Sequence, residues 1–409
     1  MLISQFFQHF IKSGTLKVID AAGRKHVFGG AADGPNVTVR LHDRRLQRGL
    51  LINPSLRAGE AYMDGRLTVE TGTLYEFLDL CGRNHVNLYE HPIPALMARI
   101  GRLFARLGRH NPIGRARANV ARHYDLSGDL YALFLDDDRQ YSCGYFVDEG
   151  DSLETAQINK KRHIAAKLRL APGQRVLDIG SGWGGLGMYL AETADVDVTG
   201  ITLSEEQLKY AGQRAEQGGL SDKVRFALRD YREESGTYDR IVSVGMFEHV
   251  GAGDYQTYFE KIREMLSEDG VFLLHSIGRM EPPGTTDPWI RKYIFPGGYV
   301  PAMSETLAAL EKARLWVTDI EILRLHYAET LRHWRHRFAA NRDKAKALYD
   351  ERFCRMWEYY LTACEVSFRY MDQMVFQMQI TRRQDAVPLT RDYIPEWERP
   401  KSARGTIAA

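Results

Sequence analysis

From about residue 170 onward, short apolar runs alternate with stretches in which apolar residues recur every three or four positions. The apolar runs predict strands and the amphipathic stretches predict helices. The expected strands are 176–179, 196–201, 224–228, 240–244 and 271–277, and the expected helices are 185–193, 204–216 and 255–266. Strands separated by helices of this length predict a doubly wound, mostly parallel sheet of the α/β class.

The pattern changes on either side of this region. The first 90 residues mix short β-like runs, such as 37–41, with glycine-containing turns, and a helix is expected from about Gly72. Beyond residue 320 the pattern is mainly helical and rich in aromatic residues. We therefore expect a small N-terminal α+β domain over 1–90, a linker over 91–122, a larger α/β domain with helical additions over 123–390 and a C-terminal tail over 391–409.

The predicted linker is basic and amphipathic. Seven arginines lie between Arg99 and Arg122 with no acidic residue among them, and on a helix the first four would share one face. Apolar residues at the same spacing form a second face: Leu96, Ile100, Leu103, Phe104 and Leu107. Such a segment can lie on an anionic membrane surface. The alternative is a linker helix that packs on the next domain and keeps its arginines solvated.

Composition narrows the class of protein. The 409 residues are 44% hydrophobic and 26% charged, with a net charge of +2, which is typical of a globular protein of two domains. The four cysteines fit no zinc pattern, so no metal site is expected. There is no convincing signal peptide, no apolar run of bilayer length and no basic stripe interleaved with aromatics for nucleic acid. We expect a cytoplasmic protein whose contact with a membrane is peripheral.

A glycine-rich turn, VLDIGSGWGG, joins the first predicted strand of the α/β domain to the following helix at residues 176–185. Gly180 and Gly182 let the backbone approach a ligand where a side chain would collide. Such turns also serve NAD and FAD, and some bind nothing. Here the spacing is GxGxG, with Trp183 after the second glycine, rather than the GxGxxG of dinucleotide-binding proteins.

The residues that follow the next two strands distinguish between NAD and S-adenosylmethionine as the cofactor. Thr202 and Leu203 follow the second strand, where an NAD-binding protein carries an acidic residue for the ribose. Asp230 and Tyr231 follow the third strand, where a carboxyl group and an aromatic face can hold an adenine. This layout favours S-adenosylmethionine.

Seven blocks occur in order over about 115–385, and together they resemble the cyclopropane fatty acid synthases and the related mycolic acid cyclopropane synthases. The blocks are YSCGYF (141–146), VLDIGSGWGG (176–185), GITLSEEQ (200–207), VSVGMFEHVG (243–251), FLLHSIG (272–278), DPWIRKYIFPGG (287–298) and HYAETL (326–331). The N-terminal region resembles the extra domain of the phospholipid-acting bacterial members. The resemblance implies a Rossmann-like class I methyltransferase sheet.

The resemblance also implies an activity: S-adenosylmethionine-dependent methylene transfer to the cis double bond of an unsaturated acyl chain in a membrane phospholipid. It further implies a homodimer that works at the anionic inner face of the cytoplasmic membrane. The residues implied to bind the cofactor, with neighbours in the same blocks, are Tyr141, Ser142, Asp178, Gly180, Gly182, Trp183, Gly184, Thr202, Leu203, Gln207, Asp230 and Tyr231. Tyr231 stands where the mycolic acid enzymes usually have Trp, and Ser181 replaces the more usual Cys.

The implied reaction is difficult because an isolated alkene is a poor nucleophile and its methylation leaves a carbocation. The site must exclude water, and a base must remove a proton from the new methyl group so that the ring closes. Aromatic faces can stabilise the cation. The candidates for that role are Tyr141, Phe146, Phe247 and Tyr299.

The base implied by the resemblance is a bound bicarbonate ion. Its expected ligands are the side chains of Glu248, His275 and Tyr327 and the backbone of Cys143 and Ile277. Glu248 and His275 follow or end neighbouring strands, where ligands bind in such sheets. We expect Glu248 to orient His275 or to share a proton with the anion.

Cys364 is a further catalytic candidate from the resemblance. Methyl transfer to an alkene needs no covalent enzyme intermediate, however, so we expect this cysteine to be a packed helix residue.

Each residue taken alone also has a purely structural interpretation. Glu248 and His249 could cap a helix or form a surface pair, His275 could be a core histidine with its hydrogen bonds satisfied, and Tyr327 could be a buried tyrosine with a bonded hydroxyl. Three other functions also remain open: a methyltransferase that gives a methyl-branched or methylene acyl product, a small-molecule N- or O-methyltransferase, and a lipid-binding protein on a decayed methyltransferase scaffold.

Overall fold

The structure is a computed structural model that describes residues 4–30, 33–90 and 127–399. The predicted basic linker of 91–122 lies outside the described residues. Contacts divide the chain into two compact units, each built from three segments. The first unit comprises 1–109, 284–296 and 331–373, and the second comprises 110–283, 297–330 and 374–409. The domain boundaries expected from the sequence stay a prediction, since a unit of dense contacts is not the same as an independently folding domain.

The described strands are β1 (Thr15–Ile19), β2 (Lys25–Gly29), β3 (Asn36–Leu41), β4 (Leu67–Thr71), β5 (Arg175–Ile179), β6 (Asp197–Thr202), β7 (Val224–Leu228), β8 (Tyr238–Val244), β9 (Leu266–Arg279), β10 (Trp316–Ile322) and β11 (Gln373–Thr381). The described helices are α1 (Ser4–Phe10), α2 (Arg44–Ile52), α3 (Pro54–Met63), α4 (Leu74–Arg83), α5 (His85–Glu90), α6 (Gly128–Ala132), α7 (Leu153–Leu168), α8 (Gly185–Ala194), α9 (Glu205–Gln217), α10 (Tyr255–Met265), α11 (Pro288–Tyr293), α12 (Met303–Lys312), α13 (His326–Ala340), α14 (Arg342–Leu348), α15 (Glu351–Tyr370) and α16 (Tyr393–Glu398). No helix in these ranges has the length and apolarity needed to cross a membrane.

The first unit contains a four-stranded sheet in the order β2-β1-β3-β4. Strand β1 pairs antiparallel with β2 and parallel with β3, which pairs antiparallel with β4. Helix α4 begins after Thr73, whose hydroxyl accepts the Glu76 N–H in a capping box, two residues later than the sequence predicts. A later segment of the chain, α15, packs on α3 and α4. Gly82 permits that packing, because a Cβ there would lie 2.4 Å from a Val366 methyl carbon.

The second unit contains a seven-stranded sheet in the order β10-β11-β9-β8-β5-β6-β7. All pairs from β9 to β7 are parallel. The five strands and three helices predicted between 170 and 280 are confirmed, with ends that shift by a few residues, and so is the doubly wound α/β class. Helix α9 is capped by the Ser204 side chain, which accepts the Gln207 N–H.

Strands β10 and β11 are not anticipated by the sequence analysis, which expects mainly helix beyond residue 320. They pair antiparallel with each other, and β11 lies between β10 and β9. Strand β11 contains three Gln residues, yet eight of its nine residues are buried. The burial of Gln377 and Gln379 on β11 depends on partners far away in the chain, so no local pattern reveals it.

Two glycine substitutions give opposite expectations. Gly82→Ala places its methyl against Val366 and should destabilise its unit by about 1–3 kcal/mol through overpacking. Gly212→Ala, within α9, meets no atom within 4 Å and should stabilise its unit by roughly 0.5–1 kcal/mol through helix propensity. Thermal unfolding followed by circular dichroism measures both. An unchanged melting temperature for Gly82→Ala would contradict the close packing of α4 on α15.

Candidate active site

A cavity opens at the carboxyl edge of the seven-stranded sheet, beside the turns that follow β5, β6, β7 and β8. Strand β5 lies between β6 and β8 at the point where the strand order reverses, which is where ligands bind in such sheets. All residues predicted to bind the cofactor line this cavity except Gly184: Tyr141, Ser142, Asp178, Gly180, Gly182, Trp183, Thr202, Leu203, Gln207, Asp230 and Tyr231. The sequence-derived cofactor residues therefore converge on one place, although their individual roles stay predictions.

The glycines of the glycine-rich turn differ in what lies beside them. Gly180 and Gly182 have φ values of +80° and +53°, in the left-handed region that favours glycine. A Cβ on Gly182 would meet no protein atom within 4 Å, so the space beside it is open to a ligand. Gly184 instead precedes α8, and a Cβ there would lie 2.7 Å from the Phe226 ring. Gly184 thus serves helix packing and not the cavity.

Two acidic residues of the cavity differ in their surroundings. Burial raises the pKa of Asp178 to about 7, against the charge of Lys160, which lowers it. One Asp178 oxygen, Oδ2, is buried with no hydrogen-bond partner among the described residues. By contrast, Asp230 accepts hydrogen bonds from the backbone and the guanidinium of Arg232 at 2.7–3.0 Å. Asp230 is therefore fixed in orientation, and Asp178 is poised for a donor or a cation.

The segment before α7 forms one wall of the cavity. Tyr141 and Trp183 both make edge contacts with the Tyr131 ring, at centroid distances of 5.2 and 5.8 Å. The guanidinium of Arg139 lies 5.1 Å from the Trp183 ring. The fully buried Lys160 donates to the Ser142 hydroxyl at 2.8 Å. These contacts hold the segment that carries Tyr141 and Ser142 against the glycine-rich turn.

Glu248 and Ile277, two members of the predicted catalytic group, meet near the ends of β8 and β9. Glu248 Oε1 accepts the backbone N–H of Ile277 at 2.7 Å. The other oxygen, Oε2, is buried without a hydrogen-bond partner among the described residues. Burial raises the pKa of Glu248 to about 7, despite the Ile277 hydrogen bond, which lowers it. A carboxyl group in this state can hold or release a proton near neutral pH.

His275 also lies on β9, two residues before Ile277, and is 2% exposed. Its Nδ1 lies 3.1 Å from Gln377 Nε2. The orienting hydrogen bond that was expected from Glu248 is thus supplied to this nitrogen by Gln377. Burial, together with the charges of Lys160 and Lys167, lowers the pKa of His275 well below its usual value, so the imidazole is neutral.

Cys143 and Tyr327 lie on two segments that are joined by hydrogen bonds. The Gly144 N–H donates to Thr330 Oγ1 at 2.9 Å, and the Phe146 N–H donates to His326 Nδ1 at 3.1 Å. The Cys143 thiol is buried, which raises its pKa and keeps it protonated. A nucleophilic role for this thiol is not favoured, in agreement with the expectation that only its backbone takes part.

Two further candidates from the sequence are Cys364 and Phe247. Cys364 belongs to α15 in the first unit, where burial raises its pKa to about 12, so it is a thiol at neutral pH. Phe247 is fully buried in the core and stacks on Tyr255 at 4.2 Å between centroids. Its ring packs the interior, which corrects the suggestion that it faces a reacting cation.

Sequence reasoning missed several residues of the site. Arg139, Met246 and His249 line the cavity, and Lys160 and Gln377 hold residues that were predicted. His249 had a signal, because it directly follows Glu248 at the end of a strand. The buried lysine and glutamine had none, since only the tertiary structure shows which side chains they touch.

The open space at Gly182 gives a prediction for cofactor binding. Gly182→Ala should lower the affinity for S-adenosylhomocysteine at least about tenfold, because the methyl enters the ligand space. Gly23→Ala is the matched control, since Gly23 also has a positive φ of +79° and no atom within 4 Å, but lies between β1 and β2. Calorimetric titration should show normal affinity for the control. Equal affinities for both variants would exclude a ligand beside Gly182.

The raised pKa of Glu248 gives a prediction for stability. The folded protein keeps a proton on Glu248 that the unfolded chain has lost, so stability falls as pH rises from about 4.5 to about 7. Glu248→Gln removes this dependence, so the free energy of unfolding of the variant should gain on the wild type by about 3 kcal/mol across that interval. Urea unfolding at pH 5 and pH 8 measures it. Glu216→Gln, at an exposed position, should show no such change.

Residues 113–378 match the sequence family described as mycolic acid cyclopropane synthetase. The cyclopropane-fatty-acyl-phospholipid synthase of Escherichia coli is 40% identical over 344 residues, which cover 84% of this chain and 87% of that protein. The probable fatty acid methyltransferase of Pseudomonas putida is 38% identical over 343 residues, which cover 82% of this chain and 84% of that protein.

Solved structures show the same relationship. The mycolic acid cyclopropane synthase CmaA1, complexed with S-adenosylhomocysteine and CTAB, is 35% identical, with a TM-score of 0.61 over 64% of this chain and 97% of that one. The resemblance inferred from the seven sequence blocks is confirmed. The chain belongs to the cyclopropane synthase family of S-adenosylmethionine-dependent methyltransferases, which act on lipids.

Proposed function

We propose that this enzyme transfers a methylene unit from S-adenosylmethionine to the cis double bond of an unsaturated acyl chain in a membrane phospholipid, closing a cyclopropane ring. The observation that carries the proposal is Glu248, a buried residue that accepts the Ile277 N–H, has a second oxygen with no hydrogen-bond partner among the described residues, and has a pKa raised to about 7. Methylation of an alkene leaves a cation that must lose a proton, and a carboxyl group that exchanges its proton near neutral pH suits that step. The E. coli relative, named for this reaction, supports the same assignment.

The proposed reaction balances as follows. The alkene π electrons form a bond to the sulfonium methyl carbon, and the carbon–sulfur electrons stay on sulfur as S-adenosylhomocysteine leaves. The neighbouring chain carbon becomes a cation. Loss of a proton from the new methyl group supplies the electron pair that closes the ring. The chain must therefore bind the acyl group away from water and provide an exit for one proton.

Bicarbonate fits the residues at this site in part. When bound, it would supply the base that accepts the methyl proton. Glu248 Oε2 is a buried polar atom without a partner, and His275 offers a ring nitrogen on the adjoining strand. The Ile277 N–H, however, already donates to Glu248 Oε1, so an anion could receive it only if that carboxyl turned away. The described geometry favours Glu248 and His275 as the groups that would hold the ion.

The membrane contact and the assembly are parts of the same proposal. The arginine-rich sequence of the 91–122 linker supports docking on anionic phospholipid at the inner face of the cytoplasmic membrane, because cationic side chains bind lipid phosphates. A homodimer would let one subunit hold the bilayer while the other works on a lipid.

A second product class is favoured by a specific observation. The P. putida relative, named a probable fatty acid methyltransferase, is almost as similar to this chain as the E. coli enzyme. The same cation gives a methyl-branched alkene if a proton leaves from the acyl chain. It gives a methylene group if a hydride first shifts from the methyl-bearing carbon to the cationic carbon and a methyl proton then leaves. A saturated methyl branch would also need a hydride donor. The fate of the cation thus separates the two proposals.

Lipid mass spectrometry tests the proposed function. Purified enzyme with S-adenosylmethionine and vesicles of cis-unsaturated anionic phospholipid should add one CH2 and remove the double bond. Glu248→Gln should lower the rate about 10²–10⁴-fold, the usual contribution of a group that handles a proton, with normal binding of S-adenosylhomocysteine.

Glu216→Gln, on an exposed face of α9, is the control and should keep full activity. A gain of CH2 with the alkene retained would establish the second product class instead. No gain in any lipid, despite cofactor binding, would overturn both.

A further inference from the structure

A buried polar chain lies behind His275, on the side of its Nδ1 atom. Lys167 of α7 donates through Nζ to Gln377 Oε1 at 2.9 Å, and Gln377 Nε2 lies 3.1 Å from His275 Nδ1. The exposed fractions of Lys167, Gln377 and His275 are 0%, 0% and 2%. Water does not compete for these contacts, so the direction of each hydrogen bond is set by the side chains themselves.

The chemistry of Lys167 fixes those directions. An ammonium group can only donate hydrogen bonds, so the glutamine must turn its carbonyl oxygen toward Lys167. The amide NH2 of Gln377 then faces His275 and donates to Nδ1. A neutral imidazole that accepts at Nδ1 carries its proton on Nε2. The tautomer of His275 therefore follows from two residues that were not recognised in the sequence.

Acidic side chains near Lys167 counteract the effect of burial on its charge. Burial lowers its pKa, whereas Glu321, whose Oε2 accepts from Nζ at 2.5 Å, raises it. His163 donates to the same Glu321 oxygen at 2.6 Å and lies 2.6 Å from Glu398 Oε1. Asp319, 3.9 Å from Nζ, adds a second carboxylate. The lysine that orients Gln377 thus has two acidic neighbours on β10.

We propose that Gln377, oriented by Lys167, is a positioning residue that holds His275 as the Nε2–H tautomer, so that the imidazole presents a hydrogen-bond donor at its second nitrogen. This assignment deepens the proposed function, on which its catalytic meaning rests: an Nε2–H attracts an anionic base, whereas the opposite tautomer would present a lone pair that repels it. Charged groups around the ring are Lys160, Lys167 and His163, all of which disfavour an imidazolium.

The decisive variant is Gln377→Glu, which is isosteric but cannot donate when ionised. A carboxylate would still accept from Lys167, and it would require a proton on His275 Nδ1. The protein is labelled with ¹⁵N-histidine, and the His275 signal among the 13 histidines is identified by its loss in His275→Asn. In the wild type, Nδ1 should show the shift of an unprotonated nitrogen and Nε2 that of a protonated one. In Gln377→Glu, Nδ1 should become protonated.

The second measurement is of kcat and of the affinity for S-adenosylhomocysteine. Gln377→Glu should lower kcat about tenfold or more, the effect of removing a partner that orients a histidine, while the affinity for S-adenosylhomocysteine stays normal. Gln373→Glu, on the same strand, is the matched control, because its Oε1 accepts from Ser367 and a carboxylate can do the same. The control should leave the His275 signals and kcat unchanged.

The outcomes separate this inference from the proposed function. A wild-type His275 protonated at Nδ1, or ring shifts that do not change in Gln377→Glu, would overturn the inference even if the enzyme makes cyclopropane lipid. The expected shifts with no lipid product in the wild type would uphold the tautomer and overturn the proposed function. A second variant, Gln377→Met, covers the case in which Gln377→Glu does not fold. It removes the hydrogen-bond donor without adding a charge, so the His275 Nδ1 resonance of the folded variant should differ from that of the wild type.

Discussion

Helix α7 must find partners for a row of buried polar side chains, and the site is arranged around those partners. Gln157, Lys160, His163 and Lys167 are all less than 5% exposed. An unpartnered charge at such depth would destabilise the fold by several kcal/mol, so each side chain has to meet an acceptor. The acceptors of Gln157 and Lys160 lie on the segment that lines the cavity, and Lys167 donates to Gln377, which contacts His275.

Two positions on α7 serve two parts of the site. Near the middle of the helix, Lys160 donates to Gln140 and Ser142 at 2.6 and 2.8 Å and so fixes the segment that lines the cofactor cavity. About two helical turns later, Lys167 orients Gln377 and through it His275. A single helix thus contacts both the segment that lines the cofactor cavity and the residue that orients His275, so the two parts of the site are positioned by the same element.

Burial also prepares the cavity for its ligands. It raises the pKa of Asp178 and of Glu248 to about 7, and it lowers the pKa of Lys160 to about 8. These groups are therefore close to changing charge at neutral pH, and a bound ligand can shift them. The positively charged sulfonium of S-adenosylmethionine would favour ionised carboxylates, whereas the neutral product S-adenosylhomocysteine would not.

The sequence by itself determined the α/β class and the strands from β5 to β9, because these depend on local periodicity. It also predicted eleven residues that line the cavity, because these lie in the glycine-rich turn, at the ends of strands and in recognisable sequence blocks. It placed Glu248 and His275 at strand ends and offered two roles for Glu248, to orient His275 or to share a proton with the anion, whereas Glu248 bonds to the Ile277 backbone and His275 to Gln377. Strands β10 and β11 pair residues more than 50 positions apart, and the hydrogen bonds from Lys167 through Gln377 to His275 join residues more than 100 positions apart. Only the tertiary structure decided them, since a buried polar side chain takes its role from the partner that folding brings to it.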